Sequence, residues 1–306
     1  MNHYDLVFFC IENNVDNVRR YYRYYRKFIN PRKIIVIGPF KIKKIVDAWS
    51  IKEIVFIDED CIFEHMNYES VKDLIIKRTT DKKAYNRVGW YFQQFLKMAY
   101  ATICEETDYL VWDADTVPLK KLHTMIGDGR RVFHVKREYN KVYFDTMNRL
   151  FRGLKRCEKY SFISEHMLIK KEIMNEIIDA IQNNQAIKGD SFWEKILYAV
   201  DKEELCGSGF SEFETYGTYV INRKPKEYVA VKWKSLREGT VFFGNSISER
   251  QGHMLSEKYD AISFEKHEAH MRISKLFNHV WARNLIVISL FEGVKELIKR
   301  ISKKLA

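Results

Sequence analysis

Tyr109-Leu110-Val111-Trp112-Asp113-Ala114-Asp115-Thr116-Val117-Pro118-Leu119 is the stretch on which the reading of this chain turns. Four apolar residues in a row suit a buried β-strand, and the run stops on two carboxylates one residue apart. In open α/β sheets, ligands bind beyond the carboxyl ends of the strands. Carboxylates are hard oxygen donors suited to Mg²⁺ or Mn²⁺, and such an ion can neutralise a diphosphate and stabilise it as a leaving group. The plainer reading is a polar strand end entering a turn, with Asp115 capping the next segment.

Outward from this stretch, the first half alternates strands and helices. Leu6–Ile11, Lys33–Gly38 and Glu53–Asp58 are short apolar runs, the second ended by Gly38-Pro39 and the third by an acidic cluster. Asn13–Arg32 has helical character. From Trp90 to Ile103 the apolar residues Phe92, Phe95, Leu96, Ala99 and Ile103 follow a core-facing helical pattern, with Gln93, Gln94 and Lys97 off its centre. Continuous rather than alternating apolar strands predict a sheet covered on both faces, hence an α/β fold. In the second half, Phe133–Phe144 and Glu227–Val231 read as strands and Lys170–Asn183 as a helix.

The chain has 306 residues, 46% hydrophobic and 30% charged, enough to bury a substantial core. A net charge of +11 favours polyanionic partners: nucleotide phosphates, nucleic acid or an anionic membrane. The alternative is a lysine-rich composition with no partner behind it. The basic residues form no zinc knuckle or aromatic RNA-binding signature, so nucleic acid is not expected. Five scattered cysteines, Cys10, Cys61, Cys104, Cys157 and Cys206, argue against a disulfide framework or zinc cluster. No signal peptide is expected from the N-terminal residues and no membrane span from the longest apolar run, so a cytoplasmic setting is expected.

Two runs together resemble a known family. Arg87-Val88-Gly89-Trp90-Tyr91-Phe92-Gln93-Gln94-Phe95-Leu96-Lys97 followed by Tyr109–Leu119 resembles bacterial polysaccharide glycosyltransferases of the GT-A superfamily. The likeness is to a capsule- and lipopolysaccharide-associated group with a GWYxQQxLK … DAD pattern. Ser161–Leu168 and Phe210–Gly217 look like two further motifs of that group. The resemblance implies a GT-A-like, Rossmann-type nucleotide-sugar-binding domain, expected over residues 1–270, and the pattern of the remaining residues predicts a basic, amphipathic helical extension over 271–306. It implies a nucleotide-sugar donor, UDP-linked, with Asp113 and Asp115 holding Mn²⁺ or Mg²⁺. The expected acceptor is a glycan or lipid-linked glycan of a bacterial surface polysaccharide.

Other residues carry paired readings. Arg87 and Lys97 are either partners of the diphosphate or solvated charge at a helix start and on its face. Gln93 and Gln94 either hydrogen-bond donor or sugar, or are exposed. Glu212 and Glu214 lie among Phe210, Phe213 and Tyr216, where a carboxylate has raised proton affinity and suits a general base; Tyr216 offers a ring to stack on sugar. The alternative for each glutamate is a helix cap or a lysine pair. His166 is a further candidate for acid–base work, and His253, His267 and His270 for a third metal ligand. Finally, Val287, Leu290, Phe291, Val294, Leu297, Ile298 and Ile301 form an apolar stripe opposite Lys295, Lys299, Arg300, Lys303 and Lys304. Such a helix either lies on an anionic membrane, placing the protein peripherally on the inner face, or docks on its own domain. Two other classes compete with a glycosyltransferase: a metal-dependent phosphoesterase, and a non-enzymatic basic binding protein for membrane or nucleic acid.

Overall fold

A computed structural model describes residues 4–265 and 284–305, with side chains of the last helix described only in its first part. His267, His270 and the expected domain boundary at 270 lie outside the described residues. The chain groups into two compact units. The first comprises residues 1–20, 30–114 and 123–233, and the second 21–29, 115–122 and 234–306.

The first unit is built on strands β1 (Tyr4–Phe9), β2 (Ile34–Gly38), β3 (Ile54–Asp58), β4 (Asp108–Trp112) and β7 (His166–Lys170). They lie in the order β3-β2-β1-β4-β7. The first four are mutually parallel, and β7 runs antiparallel to β4, with Trp112 opposite His166 and Asp108 opposite Lys170. β1, β2 and β4 are buried at every residue, as continuous apolar runs require. One face packs on helices α3 (Tyr68–Arg78), α4 (Val88–Ile103), α6 (Lys171–Gln182), α7 (Phe192–Ala199) and α8 (Glu212–Arg223) through one continuous core. The expected mixed α/β fold with a mostly parallel sheet is what forms.

The strand order carries the functional geometry. The chain lays β1, β2 and β3 outward in one direction, then returns to place β4 on the other side of β1. β1 and β4 therefore flank the point where the order reverses, and a crevice opens beyond their carboxyl ends at such a point. β1 and β2 close tightly at that end. A Cβ on Gly38 would lie 2.2 Å from the carbonyl oxygen of Cys10, so only glycine fits.

One expectation fails here. Phe133–Phe144 is not a single strand: β6 (Arg131–Val135) pairs with β8 (Tyr228–Lys232), and α5 (Lys141–Leu150) follows. The Asn140 side chain accepts a hydrogen bond from Val142 N (3.1 Å), capping α5 and starting the helix inside the stretch expected to be a strand.

The second unit has its own three-stranded sheet, in which β5 (Thr116–Pro118) and β9 (Ser235–Leu236) flank β10 (Ala261–Ser263). The last helix, Leu285–Leu305, packs on this unit with Ile288 fully buried and Phe291 edge-on to Phe242. Glu292 accepts from Lys258 (2.9 Å) and from the Tyr259 hydroxyl (2.6 Å). Ile286, Leu290, Val294 and Leu297 stay exposed along another face. Among the described residues, no helix is long and apolar enough to cross a membrane.

Candidate active site

β4 delivers Asp113 to the crevice, where its backbone N–H donates to the Glu165 carbonyl (2.9 Å) just ahead of β7. Asp113 is partly exposed, with 39% of its side chain open to solvent. Beneath it lies a buried ammonium. Lys97 Nζ is 3.0 Å from Glu212 and 3.5 Å from Asp113, over the Phe213 ring at 4.7 Å. Its helix is pinned to the strand by the Tyr109 hydroxyl, which donates to the Lys97 carbonyl (2.9 Å).

The sequence builds this arrangement locally. α8 starts at Ser211, whose hydroxyl accepts from Glu214 N, so Glu212 stands at the first helical position near the positive end of the helix dipole. The Glu212 N–H donates to the Gln94 side chain (3.3 Å), one turn before Lys97 on α4. Burial pulls the Lys97 ammonium down, but the carboxylates of Glu212 and Asp113 outweigh it and hold the proton firmly. Burial pushes the Glu212 carboxyl up, and Lys97 opposes that shift.

A second cluster lies on the other side of β4. The Trp112 ring stacks on His166 (4.6 Å between centroids), and Trp233 meets His166 at 4.4 Å. His166 Nε2 is 2.8 Å from His134 Nδ1. Burial, His134 and Lys136 together hold His166 well below the usual imidazole range, so it stays neutral. Trp233 Nε1 donates to Glu165 (2.9 Å), which also pairs with Lys136.

The expected site residues therefore divide. Asp113, Lys97, Glu212 and Gln94 come together. Gln93 donates weakly to the Phe9 carbonyl (3.4 Å) at the end of β1, on the same crevice. The expectation that Gln93 or Gln94 is simply exposed holds for neither, and Gln94 is buried. Lys97 is likewise no solvated surface charge. Arg87 is tied elsewhere, donating to the Gly207 carbonyl (2.8 Å) and the Ser208 hydroxyl (3.1 Å) and stacking over Trp90.

Glu214 and Tyr216 need correction. Glu214 accepts from the Ser161 hydroxyl (2.5 Å) and Phe162 N (3.2 Å) and is buried in that turn. The Tyr216 hydroxyl bonds Lys170 N (2.8 Å) and the Tyr228 hydroxyl (2.5 Å). Lys170 sits at the opposite end of β7 from His166, so Tyr216 is a core residue remote from Asp113. Helix geometry decides this: Glu214, two residues on, points away from Glu212, and Tyr216, on the same face as Glu212, lies one turn or about 6 Å further along the axis, toward the sheet's far end. His166 is buried between two tryptophans rather than open to an acceptor. His134, Glu165, Lys136 and Trp233 were not singled out from sequence, because only the β4–β7 pairing and the return of residue 233 assemble them.

Asp115 begins the second unit, where its carbonyl accepts from Phe264 N (2.9 Å) and it is partly exposed. Asp113 and Asp115 supply two hard carboxylates separated by one residue. Mg²⁺ and its analogues are usually held by one or two carboxylates plus substrate phosphates, so this donor set fits an ion completed by a diphosphate. Among the described residues, no group of three metal-ligating side chains gathers.

The chain belongs to DUF6492, a family of unknown function, which it matches over residues 10–248. No curated protein matches it. Among solved structures, it is similar to the galactosyltransferase LgtC in complex with donor and acceptor sugar analogs. There the identity is 12% and the TM-score 0.44, covering 89% of this chain and 93% of that one. An LgtC active-site mutant gives a TM-score of 0.43, with the same identity and coverage. The glycosyltransferase GlyE of Streptococcus pneumoniae TIGR4 gives 10% identity and a TM-score of 0.38, over 96% of this chain and 64% of that one.

Proposed function

We propose that this member of DUF6492 is a nucleotide-sugar-dependent glycosyltransferase that builds a bacterial surface polysaccharide on a glycan or lipid-linked glycan acceptor. The observation that carries the reading is Asp113 at the reversal of strand order, beside β1, with the Lys97–Glu212 pair fixed beneath it. Reversal points of parallel sheets take nucleotides, and a carboxylate there faces the diphosphate rather than the base of the fold. The motif resemblance in residues 87–119 supports sugar transfer as the chemistry.

In this reading Asp113 and Asp115 hold Mn²⁺ or Mg²⁺, which supplies charge to the departing diphosphate. Lys97 fixes the Asp113 carboxylate in place, and Glu212 balances Lys97. Glu212 thus acts as a positioning residue; its burial and ion pair set it apart from a base that must meet an acceptor hydroxyl. Gln93 of α4 reaches the end of β1, where the nucleotide would run.

Donor binding is checked by thermal shift with UDP-, GDP-, dTDP- and CMP-sugars, with and without Mn²⁺. Ligand at 100 times its dissociation constant stabilises the folded state by about 2.7 kcal/mol, a shift of several degrees. Because two carboxylates alone make a weak site, Mn²⁺ by itself should shift the midpoint little, and one nucleotide-sugar with Mn²⁺ much more. A set of donors that leaves the midpoint unmoved in the presence of Mn²⁺ would sink the proposal. Release of free sugar with no transfer to any glycan would favour a phosphoesterase or hydrolase instead.

The last helix points to where the enzyme works. Its exposed Ile286, Leu290, Val294 and Leu297 fall at spacings of four, four and three, on one face of a helix whose sequence is rich in lysine. An apolar face with basic flanks suits the interface of an anionic membrane, where each basic residue adds roughly 1 kcal/mol. The inner face of the cell membrane is where a lipid-linked acceptor would be met. Full-length protein should co-sediment with anionic vesicles at low salt and not with neutral ones. Leu290→Glu with Leu297→Glu should weaken this at least tenfold without lowering thermal stability, since both side chains are exposed. Equal sedimentation of the doubly substituted protein would refute membrane placement.

A further inference from the structure

The second unit contains a cavity of about 190 Å³ that the donor crevice does not use. It lies between the second half of helix α1 (Val15–Phe28), the chain at Leu119, and helix α10 (Glu249–Ser256). Its floor and walls are apolar: Phe28, Leu119, the Tyr24 ring and the backbone at Gly252. Its lining is also charged, with Arg23 and Lys27 one helical turn apart on α1, His253 on α10, and Glu249 as the one carboxylate among the described residues that line it.

Three features of this lining bear on what it can hold. Arg23 and Lys27 make no ion pair among the described residues; Lys27 only stands over the Phe28 ring at 5.0 Å. The Tyr24 hydroxyl is buried in the wall with no hydrogen-bond partner among the described residues, although a buried hydroxyl is ordinarily satisfied. Finally, a Cβ on Gly252 would rest in ordinary contact with that hydroxyl at 3.4 Å, so any longer side chain there would enter the space beside it. Burial and the nearby Glu249 push the Tyr24 hydroxyl up, so it remains a donor.

We propose that this cavity is a second ligand site that takes a sugar phosphate, with the phosphate on Arg23 and Lys27, a sugar hydroxyl on Glu249, and the sugar's apolar face against Tyr24 and Phe28. Two adjacent cations without acid partners fit a phosphate. A single carboxylate in the same cavity would repel a bare anion, but it accepts hydrogen bonds from hydroxyls. An aromatic floor suits a sugar ring's C–H face. The sugar rests on the transferase reading, in which this site would hold the phosphorylated end of the acceptor; the phosphate rests on the cavity alone.

The test is isothermal titration of the full chain, without donor or metal, using glucose 1-phosphate, galactose 1-phosphate, glucose and inorganic phosphate. At least one sugar phosphate should bind at least tenfold more tightly than inorganic phosphate, and glucose should not bind measurably. Arg23→Ala and Lys27→Ala should each weaken binding about tenfold, and Tyr24→Phe about threefold; all three keep the wild-type melting temperature, because the first two are exposed and the third removes only an unpaired hydroxyl. Gly252→Val should abolish binding by filling the cavity. Absence of binding by both sugar phosphates, equal binding of inorganic phosphate, or binding unaffected by the Arg23 and Lys27 substitutions would each overturn the proposal. Asp113→Ala should bind the sugar phosphate normally. A protein that binds sugar phosphate but no nucleotide-sugar would overturn the transferase reading and leave this cavity's assignment standing.

Discussion

Asp113→Ala and Asp115→Ala should each reduce sugar transfer by at least on the order of 10²- to 10³-fold, the scale seen when one charge-stabilising group is taken from a reacting centre. Neither change should unfold the protein. Both side chains are partly exposed, and substitutions at such positions usually move stability by no more than about 0.5 kcal/mol. The Asp113 backbone keeps its bond to Glu165, and Lys97 keeps Glu212. The measurement is a transfer assay on the donor picked out by thermal shift, with melting temperature as the control. Either variant at full activity, or wild type active in excess EDTA, would remove the metal from the mechanism.

Lys97 should produce the largest loss of stability. Lys97→Met leaves the Glu212 carboxylate buried without its counter-charge, which costs about 3–5 kcal/mol. In a chain of this size that is roughly a 10 °C fall in melting temperature. Replacing both partners, as Lys97→Met with Glu212→Leu, removes the stranded charge, and most of the stability should return. Activity should not return, because Asp113 has lost the ammonium that held it. A second reading separates positioning from mere structure. With the positive charge gone from beside Asp113, the Mn²⁺ concentration for half-maximal rate in the double variant should fall, even as the maximal rate drops. A double variant with wild-type turnover would show that the pair serves the fold alone.

The core of the fold could be read from the chain because β1, β2, β3 and β4 are continuous apolar runs with abrupt polar ends. Their order in the sheet could not, since nothing local states that β4 returns to the far side of β1. The crevice follows from that order. Lys97 shows the same limit for the site. Its spacing put it off the apolar stripe of its helix, which is the pattern of a solvated charge. What buries it is Glu212, 115 positions later, arriving at a helix start capped by Ser211. Glu214 and Tyr216 look equivalent to Glu212 in sequence because all three share an aromatic neighbourhood; the helix turns Glu214 to another side and carries Tyr216 a full turn along its axis. Asn140 marks a helix start with a single side chain, too small a signal to divide the strand-like stretch from Phe133 to Phe144. No local signal marks the second unit, because three separated stretches form it, two of them only nine and eight residues long.

That discontinuity has a consequence for how the protein comes into being. β5 is completed when residue 118 has been synthesised, but its hydrogen-bonding partner β10 is 145 positions away, with Val117 matched to Ile262. At synthesis rates of roughly 5–20 residues per second, the strand waits about 7–30 s on the ribosome with an unpaired edge. β10 is also the middle strand of its sheet, so β9 waits with it. The first unit, by contrast, has every segment in hand once residue 233 is made. The nascent chain therefore has a built-in order: the nucleotide crevice can assemble early, while residues 21–29 and 115–122 are held for a partner still to come. Any shortened chain ending before Ala261 keeps those two segments and lacks the strand that would cover them, and a bare strand edge is a template for aggregation.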